Sequence, residues 1–532
     1  MAQRCDVVII GARLAGACAA AHLARAGLDV VVLDRSRFPS DQMSTHLLFP
    51  DGVDELRRMG ALDAILASNP TQSPWLQLTT NGDAQLLERW RQVGPTDYCM
   101  CVPRTIQDVE LVAAARTAGA DVRERHRLVD VLWRGGRASG VRFADSDGNQ
   151  TDIEAKLVIG ADGRRSSVAA AVGAFRPYRG SRNGRGLVFR YADDPMYGTR
   201  EGQTIYQWRD GDSIAFMFPS APGPRMLMLF MGAASEASEA MDDQEAYWQR
   251  KLVQHPGMAE RIAGCTDLTK LRATGDTSAY FRASSGPGWA LAGDAGHFKD
   301  PVIGQGQRDA LWSGRRLAEI ATPVLDDPAE LDMALRRWER ERDQECVHAY
   351  HFGNIETEVK PVSPILTEIV RRSGRSRGQG PDIGDVFGRG RTLPQVLTLA
   401  RLGTGLVDAL RGGTSGKPAA ATMREAVADL KVHVGVRQEL LGRRFRSSRV
   451  VPGSEHPDPK PPAPTRPVVR TAAVTTEAPV AEAPVAEAPV PEVNGHAATT
   501  GTNKISNTPS SDTPTNTPPL AAEPTDTVVA TL

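Results

Sequence analysis

The chain has 532 residues, more than one ordinary domain of about 100–200 residues, so two or three folding units are expected. Hydrophobic residues make up 41% and charged residues 24%, the balance of a globular enzyme rather than a disordered chain, and a formal net charge of -1 gives no electrostatic case for nucleic acid. Six scattered cysteines without a C-x-x-C pair fit a reducing compartment better than a disulfide scaffold. The first apolar run, Val7 to Ile10, is too short for a signal peptide, and no stretch approaches the ~20 apolar residues of a membrane span. A cytoplasmic protein is expected.

Taken from the start, Asp6 to Ile10 predicts a buried parallel strand. The turn Gly11-Ala12-Arg13-Leu14-Ala15-Gly16 follows, then a small-residue helix over Ala17–Ala26 and a second strand over Asp29–Leu33. That strand ends in Asp34, with Arg35 next. This is the strand–turn–helix–strand layout of a dinucleotide site. Gly11 turns the chain tightly, Gly16 lets the helix pack on the sheet, and the helix start suits a pyrophosphate. Asp34 stands 18 residues after Gly16, where an acid for the adenosine ribose belongs. Arg13 replaces the usual middle glycine. Its side chain either turns outward or meets a phosphate.

Two strands are expected within Trp75 to Val93, and a helix over Gln107–Ala118 after Cys-Val-Pro-Arg104. Residues 157–168 read as a buried strand running into Asp162-Gly163, with a helix from about Ser166. Between Gly180 and Asp276, the runs Thr204–Trp208, Ile214–Phe218 and Met226–Met231 predict strands separated by turns. A further strand ends in Gly293-Asp294. Pro301 and Gly304-Gln305-Gly306 then lead into a helix over Gln307–Ala321. His348 and His351 share a helical face without a third ligand, so no metal site is expected. Residues 361–450 predict a helical extension ending in the basic run Arg443–Arg449. Residues 452–532, rich in Pro, Ala and Thr, predict a disordered tail, inert or recruiting a pathway partner.

The ordered set of Gly-rich turn, Asp-Gly motif and Gly-Asp motif resembles the group A FAD-dependent monooxygenases of the para-hydroxybenzoate hydroxylase type, over about residues 1–350. The Gly-Ala-Arg turn, with Ser44-Thr45-His46 after it, looks like a subgroup. The resemblance implies an α/β fold: a Rossmann-like FAD-binding domain (about 1–75, 98–180 and 276–350) with an inserted, mainly β substrate sheet (about 76–97 and 181–275). It places Gly11, Ala12, Arg13, Ala15, Gly16, Asp34 and Arg35 at the ADP half of FAD and Arg104 in contact with FAD. Asp162 and Gly163 fall near the pyrophosphate, and Asp294 at the ribityl chain. Pro301, Gly304, Gln305 and Gly306 fall at the flavin's pyrimidine edge. Trp208, Phe216, Phe218, Met228 and Phe230 are candidates for the apolar wall of the substrate site. His46 and His297 are candidate proton relays.

By the same resemblance, NAD(P)H binds transiently and reduces FAD, unless a separate reductase supplies the electrons. O2 is captured as a flavin C4a-hydroperoxide, and a hydrophobic aromatic or polycyclic small molecule is hydroxylated. The first rival is a reductase of isoprenoid double bonds, because geranylgeranyl reductases share the fold and similar motifs. A halogenase is disfavoured, because its Trp-x-Trp-x-Ile-Pro signature is absent and Trp208 stands alone. From another class, a flavin-bound scaffold recruiting partners through the tail is the remaining alternative.

Overall fold

A computed structural model describes residues 3–375, 382–412 and 419–441. The tail from 452 and the run Arg443–Arg449 lie outside the described residues. Near-continuous aliphatic runs build the first sheet. In Val7–Ile10 and Val30–Leu33 every side chain is buried, as expected for parallel strands covered on both faces. The strand Gln3–Ile10 pairs in parallel with Val30–Asp34 on one side and Gln150–Gly160 on the other, with Val7 opposite Val30 and Leu157. Trp289–Leu291 continues the sheet beyond Gln150–Gly160, and Asp121–Glu124 extends it beyond Val30–Asp34. The three motifs read from sequence thus end three adjacent parallel strands at their carboxyl ends, where ligands of open α/β sheets bind.

The helix Leu14–Arg25 packs against the helix Gly306–Ala321 through small residues. A Cβ on Gly314 would lie 2.3 Å from the Ala15 carbonyl oxygen, and one on Gly293 would lie 2.8 Å from the Ala15 Cβ. Both contacts require glycine.

A seven-stranded sheet forms the second layer. It runs Arg272–Thr274, Leu187–Asp193, Arg225–Met231, Ser213–Pro219, Thr204–Asp210, Trp75–Thr80, Ala84–Arg89. All neighbours are antiparallel except Thr204–Asp210 with Trp75–Thr80. Three short helices, Glu236–Asp242, Gln244–Gln254 and Pro256–Arg261, bring Tyr247, Trp248, Met258 and Ile262 onto one face of this sheet. Its other face looks toward the motif loops and carries Phe189, Ile205, Ile214, Phe216, Phe218 and Leu229.

The helix Pro328–Glu356, capped by the Asp327 carboxylate on the N–H groups of Ala329 and Glu330, leads into the extension. There Pro364–Arg375 packs against Ala84–Arg89 and against Leu399–Gly412. Within the extension, Leu393–Val396 and Leu399–Gly412 are separate helices. No helix among the described residues is long and apolar enough to cross a membrane.

Candidate active site

The Gly-rich turn and the Asp-Gly motif touch directly. The Ala161 N–H donates to the Ile10 carbonyl (2.7 Å), and a Cβ on Gly11, whose φ is +105°, would stand 2.4 Å from the Ala161 oxygen. A Cβ on Gly16 would stand 1.7 Å from the Gly11 oxygen. Ala12 and Ala15 are buried in this turn. Asp34 is buried at the end of its strand, and its carboxylate accepts from the N–H groups of Ala12 and Ser36, both at 2.7 Å. Each oxygen keeps a further lone pair for a hydroxyl. Arg35 is exposed.

Arg13 caps the first helix with its backbone, and its side chain turns sideways. The guanidinium reaches Ser40, at 2.6 Å to the hydroxyl and 3.3 Å to the carbonyl, lies over Phe38, and pairs with Asp108. Asp108, fully buried, also accepts two bonds from Arg104, at 2.8 and 3.0 Å. One carboxylate therefore holds two guanidinium groups near the first helix N-terminus, where excess positive charge favours a pyrophosphate.

Asp162 is engaged locally. It accepts from the Ser166 hydroxyl and the N–H groups of Ser167 and Val168, capping the helix Ser167–Ala171, and burial raises its pKa. Beside it, a Cβ on Gly163 would meet nothing within 4 Å, and the same holds at Gly306. Asp294 is half-buried. Its carboxylate accepts no hydrogen bond among the described residues, and burial raises its pKa against the pull of Arg164 and Arg104. Gln107, one turn after Arg104, is fully buried, and both its amide atoms lack a partner among the described residues. The open backbone at Gly163 and Gly306, the uncommitted Asp294 carboxylate and the orphaned Gln107 amide fit a bound FAD along this line. Gln107 and Asp108 were not singled out from sequence; their spacing from Arg104 is an ordinary helical turn.

The loop Pro301–Ile303 is a single 3-10 turn, and Gly304 takes a left-handed φ of +63°. A Cβ there would stand 2.9 Å from the Phe49 ring. Asp300 fixes this loop. Its carboxylate accepts from the Val302 N–H (2.8 Å), Asn183 (2.7 Å) and Thr357 (2.6 Å), tying the turn to the segment before the strand Leu187–Asp193 and to the end of the long helix. Against the loop lies an apolar cavity. Its lining is Thr45, Leu47, Phe49, Leu76, Trp90, Ile205, Gln207, Phe216, Phe218, Leu229, Pro301 to Gly304, and Phe387.

Of the five wall candidates, Phe216 and Phe218 line this cavity. Trp208, Met228 and Phe230 do not. They project from the opposite face of the same strands into the core under the three short helices, where Phe230 meets Trp248 edge-on at 4.9 Å. Strand parity decides this, because alternate residues face opposite ways. Both faces are covered, so both are apolar and the runs show no alternation from which to pick the cavity side. Ile205 and Gln207, two residues apart, carry the parity that the bulkier residues hide. The Gln207 amide makes no hydrogen bond among the described residues.

His46 adopts a left-handed φ of +58°, is buried, and contacts the Tyr191 hydroxyl and the Gln42 carbonyl (3.4 Å). Burial lowers its pKa to about 4, so it is neutral near pH 7. Its carbonyl accepts from Val102, which sets the neighbouring Thr45 and Leu47 along the cavity. His297 is buried beside Lys299, 3.2 Å from the ammonium, and 3.6 Å from Asp309. Burial holds it neutral as well. His297, Asp309 and Cys346 bring ligand-type atoms within 4.8 Å of one another, and Lys299, Arg308 and Arg389 all ion-pair with Asp309. Neither histidine lines the cavity.

Comparison with known proteins agrees with this geometry. The FAD binding domain family matches residues 4–343. Menaquinone reductase of Mycolicibacterium smegmatis is 30% identical over 339 residues, covering 60% of this chain and 77% of that protein. Digeranylgeranylglycerophospholipid reductase 2 of Methanopyrus kandleri is 24% identical over 401 residues, covering 72% of this chain and 91% of that protein. Among solved structures, PqsL of Pseudomonas aeruginosa in complex with 2-aminobenzoylacetate superposes with a TM-score of 0.57 at 21% identity, over 67% of this chain and 97% of that one. At that identity the likeness is one of fold. With motifs, geometry and the matched span in agreement, the chain belongs to the FAD binding domain family and is an FAD-dependent oxidoreductase.

Proposed function

We propose that this enzyme is a monooxygenase that hydroxylates a flat hydrophobic molecule, with NAD(P)H as electron donor and O2 as co-substrate. The balance is one O2, one NAD(P)H and one proton consumed, with one oxygen atom entering the substrate and the other leaving as water. The observation that carries this reading is the apolar cavity closed against the Pro301–Gly304 loop at the end of the Gly-Asp strand. Bound FAD supplies the redox and oxygen chemistry. The chain's own residues supply position and environment.

Asp34 would take the ribose hydroxyls, Arg104 and Gln107 would line the dinucleotide path, and Asp294 would take the ribityl hydroxyls. The N–H groups from Gly304 to Gly306, at the positive end of the helix Gly306–Ala321, would stabilise negative charge on a bound flavin. Phe216, Phe218, Leu229 and Phe49 exclude water from the reacting face. Gln207 and Thr45 are the polar points in that wall and orient a substrate oxygen or nitrogen.

A second reading, reduction of an isoprenoid double bond, is favoured by the names of the two sequence relatives above. The two readings separate in one experiment. The holoenzyme is reduced anaerobically with NADH or NADPH, then given 18O2 with a panel of phenolic, polycyclic and prenylated compounds. Monooxygenation gives labelled product with O2 consumed. A saturated, unlabelled prenyl product formed without O2 uptake sinks it and establishes the second reading.

A further inference from the structure

The matched family region ends at residue 343, yet one residue lining the cavity, Phe387, comes from beyond it. Phe387 closes the short helix Gly384–Phe387 and puts its ring against Phe352 (5.2 Å, edge-on) and Phe49 (6.2 Å). Phe49 in turn meets Trp90 at 5.3 Å. These aromatic rings, from widely separated parts of the chain, cluster at one end of the cavity.

The segment 382–391 is pinned from two sides. On the sheet side, the Glu88 carboxylate accepts the N–H groups of Asp382 (3.1 Å), Ile383 (3.3 Å) and Gly384 (2.8 Å), and Arg91 pairs with the buried Asp385. On the cofactor side, Gln305 donates its side-chain N–H to the Phe387 carbonyl. Arg389 pairs with Asp309 in the first turn of the loop helix and with Glu345 (3.1 Å) on the long helix. A charged pair and a buried hydrogen bond thus join this segment to the two ends of the Gly304–Asp309 stretch. The segment is a fixed wall.

We propose that residues 382–391 form the selectivity wall of the substrate cavity, with Phe387 setting the size of ligand accepted and Arg389 locking the wall to the helix Gly306–Ala321 that follows the flavin-facing loop. This rests on reading the cavity as the substrate site. The test uses the purified holoenzyme and follows perturbation of the flavin absorbance band during titration with phenol, 1-naphthol and 1-anthrol. Phe387→Ala shifts the Kd ratio toward the largest ligand by about tenfold, Phe387→Trp shifts it the other way, and Phe387→Leu falls between. Arg389→Gln weakens all three ligands by a similar factor without changing their order.

If the wild type binds the series but every Phe387 variant keeps its ranking, the wall assignment is overturned and the cavity remains the substrate site. Unchanged affinities in Arg389→Gln overturn the lock. If the wild type binds none of the three, the aromatic substrate reading fails, and the wall with it. Retained FAD and an unaltered unfolding midpoint show that each variant has folded.

Discussion

The nucleotide end and the cavity end of this enzyme are built by different means. At the nucleotide end, three short motifs close three adjacent parallel strands, and backbone close approach does most of the shaping. At the cavity end, side chains from separate stretches between Thr45 and Phe387 converge, and few are neighbours in sequence. The first kind of site fixes which cofactor class is held and tolerates little substitution. The second sets what is admitted and can be re-cut residue by residue.

The sharpest break of that contrast is Gly16→Val at the nucleotide end. Its Cβ would overlap the Gly11 carbonyl oxygen, so the turn must open, and bound flavin should be lost. The absorbance ratio of 450 to 280 nm after gel filtration measures it. Retention of full flavin would show that the turn yields more easily than its geometry indicates.

Next in size is Phe230→Ala, on the far face of the cavity sheet. It should cost about 3–5 kcal/mol of stability, read from urea midpoints, while ligand ranking stays put. A change of ranking would place Phe230 within reach of the substrate after all.

His46 gives a smaller, pH-dependent effect. Its pKa is lowered to about 4 in the fold against about 6.5 unfolded. The unfolded chain therefore takes up the proton first as pH falls. The contribution is full above pH 6.5 and declines toward pH 4, by about 3 kcal/mol in all. His46→Asn keeps a residue tolerant of the left-handed backbone and should flatten stability over that window. An unchanged slope in the variant would place the titration elsewhere.

The smallest effect is expected at Gln207→Leu. Losing one polar anchor should cost about tenfold in affinity for a hydroxylated ligand and little for its deoxy analogue. Equal losses for both would point to packing rather than orientation.

Much of the nucleotide end was legible in sequence because its information is local. Gly11, Gly16, Asp34 and Gly293-Asp294 stand at set distances from strand ends, and the structure brings those ends side by side. The orientation of Arg13 was not legible, because its partner Asp108 lies 95 positions away. At the cavity end the strands themselves were readable, but their facing was not. With helices covering the second face, Met226 to Met231 is apolar at every position, and size alone suggested Trp208 and Phe230 over Ile205 and Gln207. Phe387 carried no signal, because a four-residue helix between glycines has no periodicity to read.

The order in which the strands occur along the chain also bears on biosynthesis. Trp289–Leu291 completes the parallel sheet only after all seven strands of the second sheet have left the ribosome, and the parallel pair Trp75–Thr80 with Thr204–Asp210 spans more than a hundred residues. Until residue 291 emerges, the Gln150–Glu154 half of that strand is covered by Arg137–Ala144, but its Val158–Gly160 end has no neighbour on that side and is open to pairing with another chain. Nascent chains arrested before that point are therefore the species that need chaperone cover.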